Sequence, residues 1–144
     1  MKINLGAGND KREGYVSLDK AFGADILCDI EDGIPLEDDS CEEIIAMDVL
    51  EQMSTAKKFV FVMNQLHRIM KKDGKLFIRV PNAKDICAFQ DPMDSRRFTD
   101  ETFTYLQYAH PRYKEYGINY GFKPWKLDAF ESDHQIKLCI TPVK

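Results

Sequence analysis

Four short apolar runs near the N-terminus each end on glycine or an acid, and this punctuation limits the folds open to the chain. Ile3-Asn4-Leu5 runs into Gly6-Ala7-Gly8-Asn9, and Tyr15-Val16-Ser17-Leu18 into Asp19. The stretch from Ala24 to Ile30 carries Cys28-Asp29, and Glu43 to Met47 runs into Asp48. The last run is continuously apolar from Ile44 to Met47, the pattern of a strand covered on both faces. A helix is expected over Thr55 to Lys72, where Phe59, Val62, Met63, Leu66, Ile69 and Met70 recur at steps of three and four. Lys71 and Lys72 would occupy its last turn, with Gly74 just beyond.

Lys75 to Val80 reads as a fifth strand, and Thr99 as the cap of a short helix through Leu106. Gly121 to Phe130 and Gln135 to Thr141 read as a closing hairpin. Strands alternating with crossovers and then a hairpin spell a mostly parallel α/β sheet with one antiparallel strand. The 144 residues suit one domain spanning 1–144, with enough chain for a full core. Nine Phe and six Tyr exclude disorder, and no apolar run reaches the ~18 residues of a membrane span. No signal-peptide pattern follows Met1, so the expected address is cytoplasmic. The four cysteines are scattered without a C-x-x-C, so no metal site is expected. Residues 21–56 carry eleven acids and no Lys or Arg, a poor surface for nucleic acid, and none is expected as partner.

Ligands of open α/β sheets sit outside the carboxyl ends of the strands. There the glycines let a ligand approach the backbone, and Asp19 can accept from both hydroxyls of a ribose. Asp29 can accept from an exocyclic amine, with the Ile30 N–H offered to a ring nitrogen. Together these make a nucleoside site. Asp10 follows the glycine turn where a dinucleotide site keeps a third glycine, and it would repel a pyrophosphate. Only ten residues separate Gly8 from Asp19, too few for an ordinary crossover helix. A ligand with no diphosphate and a positive charge fits this turn, and S-adenosylmethionine is such a ligand.

Leu5-Gly6-Ala7-Gly8-Asn9, Asp19, Cys28-Asp29-Ile30, Asp48-Val49-Leu50-Glu51 and Leu66 to Gly74 resemble successive motifs of class I S-adenosylmethionine-dependent methyltransferases. The chain is similar to the small stand-alone members that begin at the first strand. The resemblance implies a Rossmann-like doubly wound sheet of order 3-2-1-4-5-7-6 with strand 7 antiparallel. The N-terminal and first crossover helices are absent or minimal. It implies a cofactor set of Leu5, Gly6, Ala7, Gly8, Asn9, Asp19, Lys20, Asp29, Ile30, Met47 and Asp48. Gly6 and Gly8 would meet the methionine part, Asp19 the ribose, Asp29 and Ile30 the adenine, and Met47 and Asp48 the region of the sulfonium and amino group. The chain departs from the family pattern at Asn4, at Asp10, and at Gln52, where many relatives carry His. A His common near Asp94 and Ser95 is also missing.

The expected activity is methyl transfer to a small-molecule or glycan-type acceptor by in-line displacement. Alignment of the reacting atoms dominates such a step, and a general base assists where the acceptor is a hydroxyl or amine. Asp48, Glu51 and Asp91 are the candidates for that base. Glu51 has a second reading as cap of the following helix, and Asp91 as turn former before Pro92. His67 is expected on the helix surface or at its dipole, and His134 in a turn. The cluster Tyr113, Tyr116, Tyr120, Phe122 and Trp125 is a candidate substrate lid or hairpin packing, and Arg96 and Arg97 are candidate anion contacts. The acceptor pocket is expected from residues 83–126 or from a partner subunit, and a homo-oligomer or a partner subunit is the expected assembly. The alternative is a non-catalytic S-adenosylmethionine-binding fold that acts as a partner or regulatory subunit, motivated by Gln52 and the missing His.

Overall fold

The computed structural model describes residues 1–144. Its strands are β1 (Lys2–Leu5), β2 (Val16–Asp19), β3 (Ile26–Leu27), β4 (Cys41–Met47), β5 (Met70–Pro81), β6 (Trp125–Ser132) and β7 (Gln135–Pro142). They form one seven-stranded sheet of order β3-β2-β1-β4-β5-β7-β6, parallel except at β7, which runs antiparallel to both neighbours. The order and the antiparallel strand agree with the expectation from sequence.

One long helix, α1 (Ala56–Ile69), crosses from β4 to β5. Thr55 caps it by accepting from the Lys58 N–H at 3.1 Å. Its stripe of Phe59, Val62, Met63, Leu66 and Ile69 packs on Ile44 and Ala46 of β4, Leu76, Ile78 and Val80 of β5, and Ile136, Leu138 and Ile140 of β7. Each of these side chains other than Ala46 contributes about 1.5–3 kcal/mol when fully buried. Phe98, Phe103 and Phe122 close the end of this core around the Phe59 ring, all at edge-on angles to it.

The other sheet face carries no helix. Side chains alternate across a strand, so this face shows Lys2, Glu43, Lys75, Phe77, Arg79 and Lys137. It is kept polar by cross-strand pairs: Lys2 with Glu43 at 3.6 Å, and Lys75 with Asp128 at 3.0 Å and Thr141 at 2.9 Å. Where a crossover helix would lie between β1 and β2, residues 6–15 form a loop. The Asp10 carbonyl accepts from Asn4 Nδ2 at 2.7 Å, which folds that loop over β1. The apolar run of β4 therefore is not matched by helices on both faces. Ile44 and Ala46 face α1, while Ile45 is buried on the helix-free side.

Several local expectations are corrected. α1 stops at Ile69 because Met70 turns extended (φ −72, ψ 137), so Lys71 and Lys72 begin β5 rather than end the helix. Gly74 is a packing glycine, not a cap: a Cβ there would lie 2.7 Å from Met70 Cε and 3.1 Å from the Cys41 carbonyl. β3 shrinks to Ile26–Leu27, since Asp25 is drawn to the Ser17 N–H at 2.9 Å and Asp29 caps the 3₁₀ turn Ile30–Asp32. The helix predicted from Thr99 is a 3₁₀ turn, Thr102–Leu106, entered through a turn in which Thr99 Oγ1 accepts from the Glu101 N–H at 3.2 Å. β6 starts at Trp125, after Gly121 (φ +94) and Pro124. His67 is buried rather than superficial. Its Nε2 lies 3.1 Å from both the Pro124 and Val143 carbonyls and ties α1 to the chain's end.

Candidate active site

The carboxyl ends of β1, β2 and β4 and the turn after β3 converge on a cavity of about 460 Å³. Gly6 enters it with φ +62, its N–H donating to the Leu18 carbonyl at 2.8 Å. A Cβ at Gly6 would stand 2.4 Å from Val49 Cγ2, so only glycine admits the β1 turn this close to the segment after β4. Gly8 also has a left-handed φ of +52, but its Cβ position faces open space. Asp19 Oδ2 accepts from the Gly8 N–H at 2.7 Å and Oδ1 from the Ala21 N–H at 2.8 Å. Each oxygen keeps a further lone pair for a ligand hydroxyl. Asp29 accepts from the Glu31 N–H at 3.0 Å, which leaves its second oxygen free.

Asp19, Asp29, Glu31 and Asp48 line the cavity against one base, Lys20. With Asp48 offset by Arg79 and Lys20 set against Asp19, Asp29 and Glu31, the wall keeps an excess of negative charge, which favours a cationic ligand over a diphosphate. No helix follows the glycine turn either: the first α-helix of the chain starts at Ala56, so the turn offers no helix N-terminus to phosphate. Cys28 also lines the wall, and burial, with Asp29 and Asp19 beside it, raises the proton affinity of its thiol. It is a packing thiol rather than a nucleophile.

Of the residues predicted for the cofactor, Gly6, Gly8, Asp19, Lys20, Asp29, Ile30 and Asp48 line this cavity. Leu5 and Ala7 lie buried behind it, Asn9 is exposed beyond it, and Met47 is half-buried at the end of β4. Of the candidate bases, Asp48 lines the wall and pairs with Arg79 at 2.6 Å. Glu51 does not cap α1, a role that Thr55 fills, and sits buried in a 3₁₀ turn (Leu50–Gln52) with Oε2 lacking any partner. Burial pushes its carboxyl from the ordinary 4.5 up to about 8, and the nearby charges of Asp48, Asp94 and Asp91 push the same way. The Glu51 carbonyl accepts from the Ser95 and Arg96 N–H groups, both at 2.8 Å, which straps the 91–96 loop to this turn. Asp91 itself forms a turn at the surface, with Oδ1 accepting from the Met93 N–H at 2.9 Å. Asp94, whose Oδ1 is buried without a partner, is raised by burial first and then by Asp91.

Sequence reasoning missed Arg79 and the closing residues Met53, Ser54, Met93 and Ser95. Their one sequence signal is adjacency to the strand-end acids and to the Asp91-Pro92 turn. The expected lid divides: Trp125 and Phe122 are core, while Tyr116 and Tyr120 stand exposed, with Tyr120 stacked on both Tyr105 and Tyr116. His110 Nδ1 accepts from the Arg112 N–H at 3.0 Å, and His134 lies 3.2 Å from Asp133 in the β6–β7 turn. No helix is long and apolar enough to cross a membrane, and no cluster of His, Cys, Asp and Glu has metal-binding geometry.

The strand order, the single antiparallel strand and the cavity at the strand ends define the Rossmann-like fold of S-adenosylmethionine-dependent methyltransferases. Solved structures share this fold at low sequence identity. A methyltransferase from Thermotoga maritima matches with a TM-score of 0.67 and 12% identity, over 98% of this chain and 81% of its own. A Haloferax volcanii protein in complex with the Trm112 methyltransferase activator matches at 0.64 and 13%, over 99% and 82%. The Burkholderia thailandensis 1,6-didemethyltoxoflavin-N1-methyltransferase, bound to 1,6-didemethyltoxoflavin and S-adenosylhomocysteine, matches at 0.63 and 11%, over 99% and 71%. No protein-family model matches the sequence, and no curated protein matches it.

Proposed function

We propose that the chain binds S-adenosylmethionine in the strand-end cavity and transfers its methyl group to a small-molecule or glycan-type acceptor. The observation that carries this is the lining itself: a glycine turn whose Gly6 leaves no room for a Cβ, and four carboxylates, one of them paired with Arg79, against one lysine. In this reading Gly6 and Gly8 border the methionine part, Asp19 takes the ribose hydroxyls, and Asp29 with Ile30 the adenine. Asp48, oriented by Arg79, faces the cationic end. The cofactor when bound supplies an electrophilic methyl group on a sulfonium. The protein's own part is to align the acceptor and, where needed, to take its proton.

Of the candidate bases, Asp48 is the one placed for that proton, because it alone lines the cavity and a base must first lie within reach of the group it deprotonates. Glu51 is 3% exposed, does not line the cavity and, titrating at about 8, holds its proton at neutral pH. Asp91 stands outside the lining and is occupied by the Met93 N–H.

Calorimetry with S-adenosylmethionine, S-adenosylhomocysteine and NADH tests the reading. Micromolar binding of both sulfur compounds and none of NADH is expected. Ligand at a hundred times Kd would add about 2.7 kcal/mol of stability, a melting shift of about 5–10 °C. No binding of either sulfur compound at millimolar concentration overturns the reading. Binding without transfer of labelled methyl to any acceptor in a lysate supports the partner-subunit alternative instead.

A further inference from the structure

A second cavity, of about 560 Å³, opens on the far side of the crest that closes the first. The crest is made by two adjacent stretches of chain. Ser54 and Ser95 face the first cavity, while Ala56, Lys57 and Arg96 face the second. Arg96 follows Ser95 directly, so the two linings lie one residue apart, about 3.8 Å between Cα atoms. The backbone N–H groups of Ser95 and Arg96, both on the Glu51 carbonyl, hold this crest in place.

The walls of the second cavity are aromatic: Phe59, Phe122, Tyr105 and Tyr120. Tyr105 and Tyr120 are stacked, with centroids 6.0 Å apart and planes 21° apart, and Tyr120 is 56% exposed. The charges on the lining are both positive, Lys57 and Arg96, and no acid lines it. In a chain of net charge −4 these two cations form no ion pair. Neighbouring Arg97 differs: it donates to the Asp94 carbonyl at 2.8 Å and lies over the Phe89 ring at 4.7 Å. The unpaired cations therefore sit where the aromatic walls are.

We propose that this second cavity is the subsite for the non-reacting part of the acceptor, and that it takes a flat aromatic ring carrying a carboxylate or phosphate. The ring is received by the tyrosine and phenylalanine faces, and the anion by Arg96 and Lys57. A molecule seated this way reaches over the crest with its reacting end toward the four-carboxylate cavity. The two cavities thus divide recognition by charge, cation on one side and anion on the other. The assignment rests on the methyl-transfer reading for the meaning of "acceptor", but the binding it asserts is measured separately.

The probe is benzoate, compared with benzamide (same ring, no charge) and acetate (same charge, no ring), followed by amide shifts in labelled protein. Benzoate is expected to move the Lys57, Arg96 and Tyr120 amides and to bind about tenfold or more tighter than either control, the worth of one charge-assisted contact. K57A/R96A, changed at surface side chains only, is expected to lose that preference and keep its affinity for S-adenosylhomocysteine. Equal binding of benzoate and benzamide, or shifts confined elsewhere, overturns the proposal even if the double variant fails to fold. S-adenosylhomocysteine binding without benzoate binding removes this subsite alone. Loss of S-adenosylhomocysteine binding in wild type removes the methyl-transfer reading, whatever benzoate does.

Discussion

Arg79 holds Asp48 at three points: the Asp48 N–H donates to the Arg79 carbonyl at 2.9 Å, Asp48 Oδ2 accepts from Arg79 Nη2 at 2.6 Å, and Oδ1 from Nε at 3.4 Å. Asp48 has φ +58, a left-handed conformation that a non-glycine residue adopts at a cost of about 1–3 kcal/mol. The guanidinium offsets part of this, and the result is a carboxylate aimed across the cavity wall from the end of β4. R79M is expected to lower the unfolding free energy by about 1 kcal/mol, modest because both side chains are partly exposed. It should also weaken S-adenosylhomocysteine several-fold. In that background D48G should recover stability, since glycine takes the conformation freely, without recovering affinity. Urea titration and calorimetry of wild type, R79M and R79M/D48G check this, and an R79M protein unchanged in both would remove the clamp.

Glu51 gives a pH signature. Its carboxyl binds its proton up to about pH 8 in the folded state and only up to about 4.5 when unfolded. A raised value means the folded state retains a proton that the unfolded chain gives up. The stability contribution is therefore full below about 4.5 and lost as pH rises through about 8, with a slope up to about 1.4 kcal/mol per pH unit. E51Q keeps the shape without the charge. It should melt at a higher temperature than wild type at pH 8–9, and the gap should narrow toward pH 5. Parallel melting curves of the two proteins across that range would mean that the Glu51 carboxyl is not proton-loaded.

Asp19 tests the ribose end. D19A removes both ligand-facing lone pairs and the anchors of the Gly8 and Ala21 N–H groups. About 100-fold weaker S-adenosylhomocysteine binding is expected, as for the loss of a charged hydrogen-bonding partner. D19N, which keeps one acceptor oxygen, should fall between. Wild-type affinity in D19A would remove Asp19 from the site.

The two glycines of the first turn separate packing from ligand approach. G6A combines a left-handed alanine with a 2.4 Å approach to Val49 and should lose about 2–4 kcal/mol in denaturant unfolding. G8A meets no neighbour and should lose about 1 kcal/mol. Equal losses in the two variants would show that Val49 does not press on this turn.

How much of this was legible in the sequence depends on distance along the chain. The strand ends at Gly6, Asp19, Asp29 and Asp48 are local punctuation, and all four line one cavity. The stripe from Phe59 to Ile69 is likewise periodic and faces the core as expected. The end of α1 was not legible, because Met70 leaves the helix with no glycine to mark it, and the lysines after it mimic a last turn. Arg79, His67 and Glu51 were misread or missed for a different reason. Their partners are a neighbouring strand end, the C-terminal residues and a distant loop, and no window of sequence contains both sides.

The helix-free sheet face has a consequence for the order in which the molecule comes apart. Amide exchange reports local opening, which is easiest where little apolar surface is buried. The unit β4–α1–β5–β7 is sealed by the apolar stripe, whereas β2 and the two-residue β3 lie at the sheet's edge beneath loops alone, with Leu27 63% exposed and Phe22 fully so. Asp19 and Asp29 belong to that edge. Half of the strand-end cavity therefore sits on the part of the molecule that opens first, and a ligand spanning from Asp48 to Asp29 would be the clasp that fastens the loose edge to the durable one.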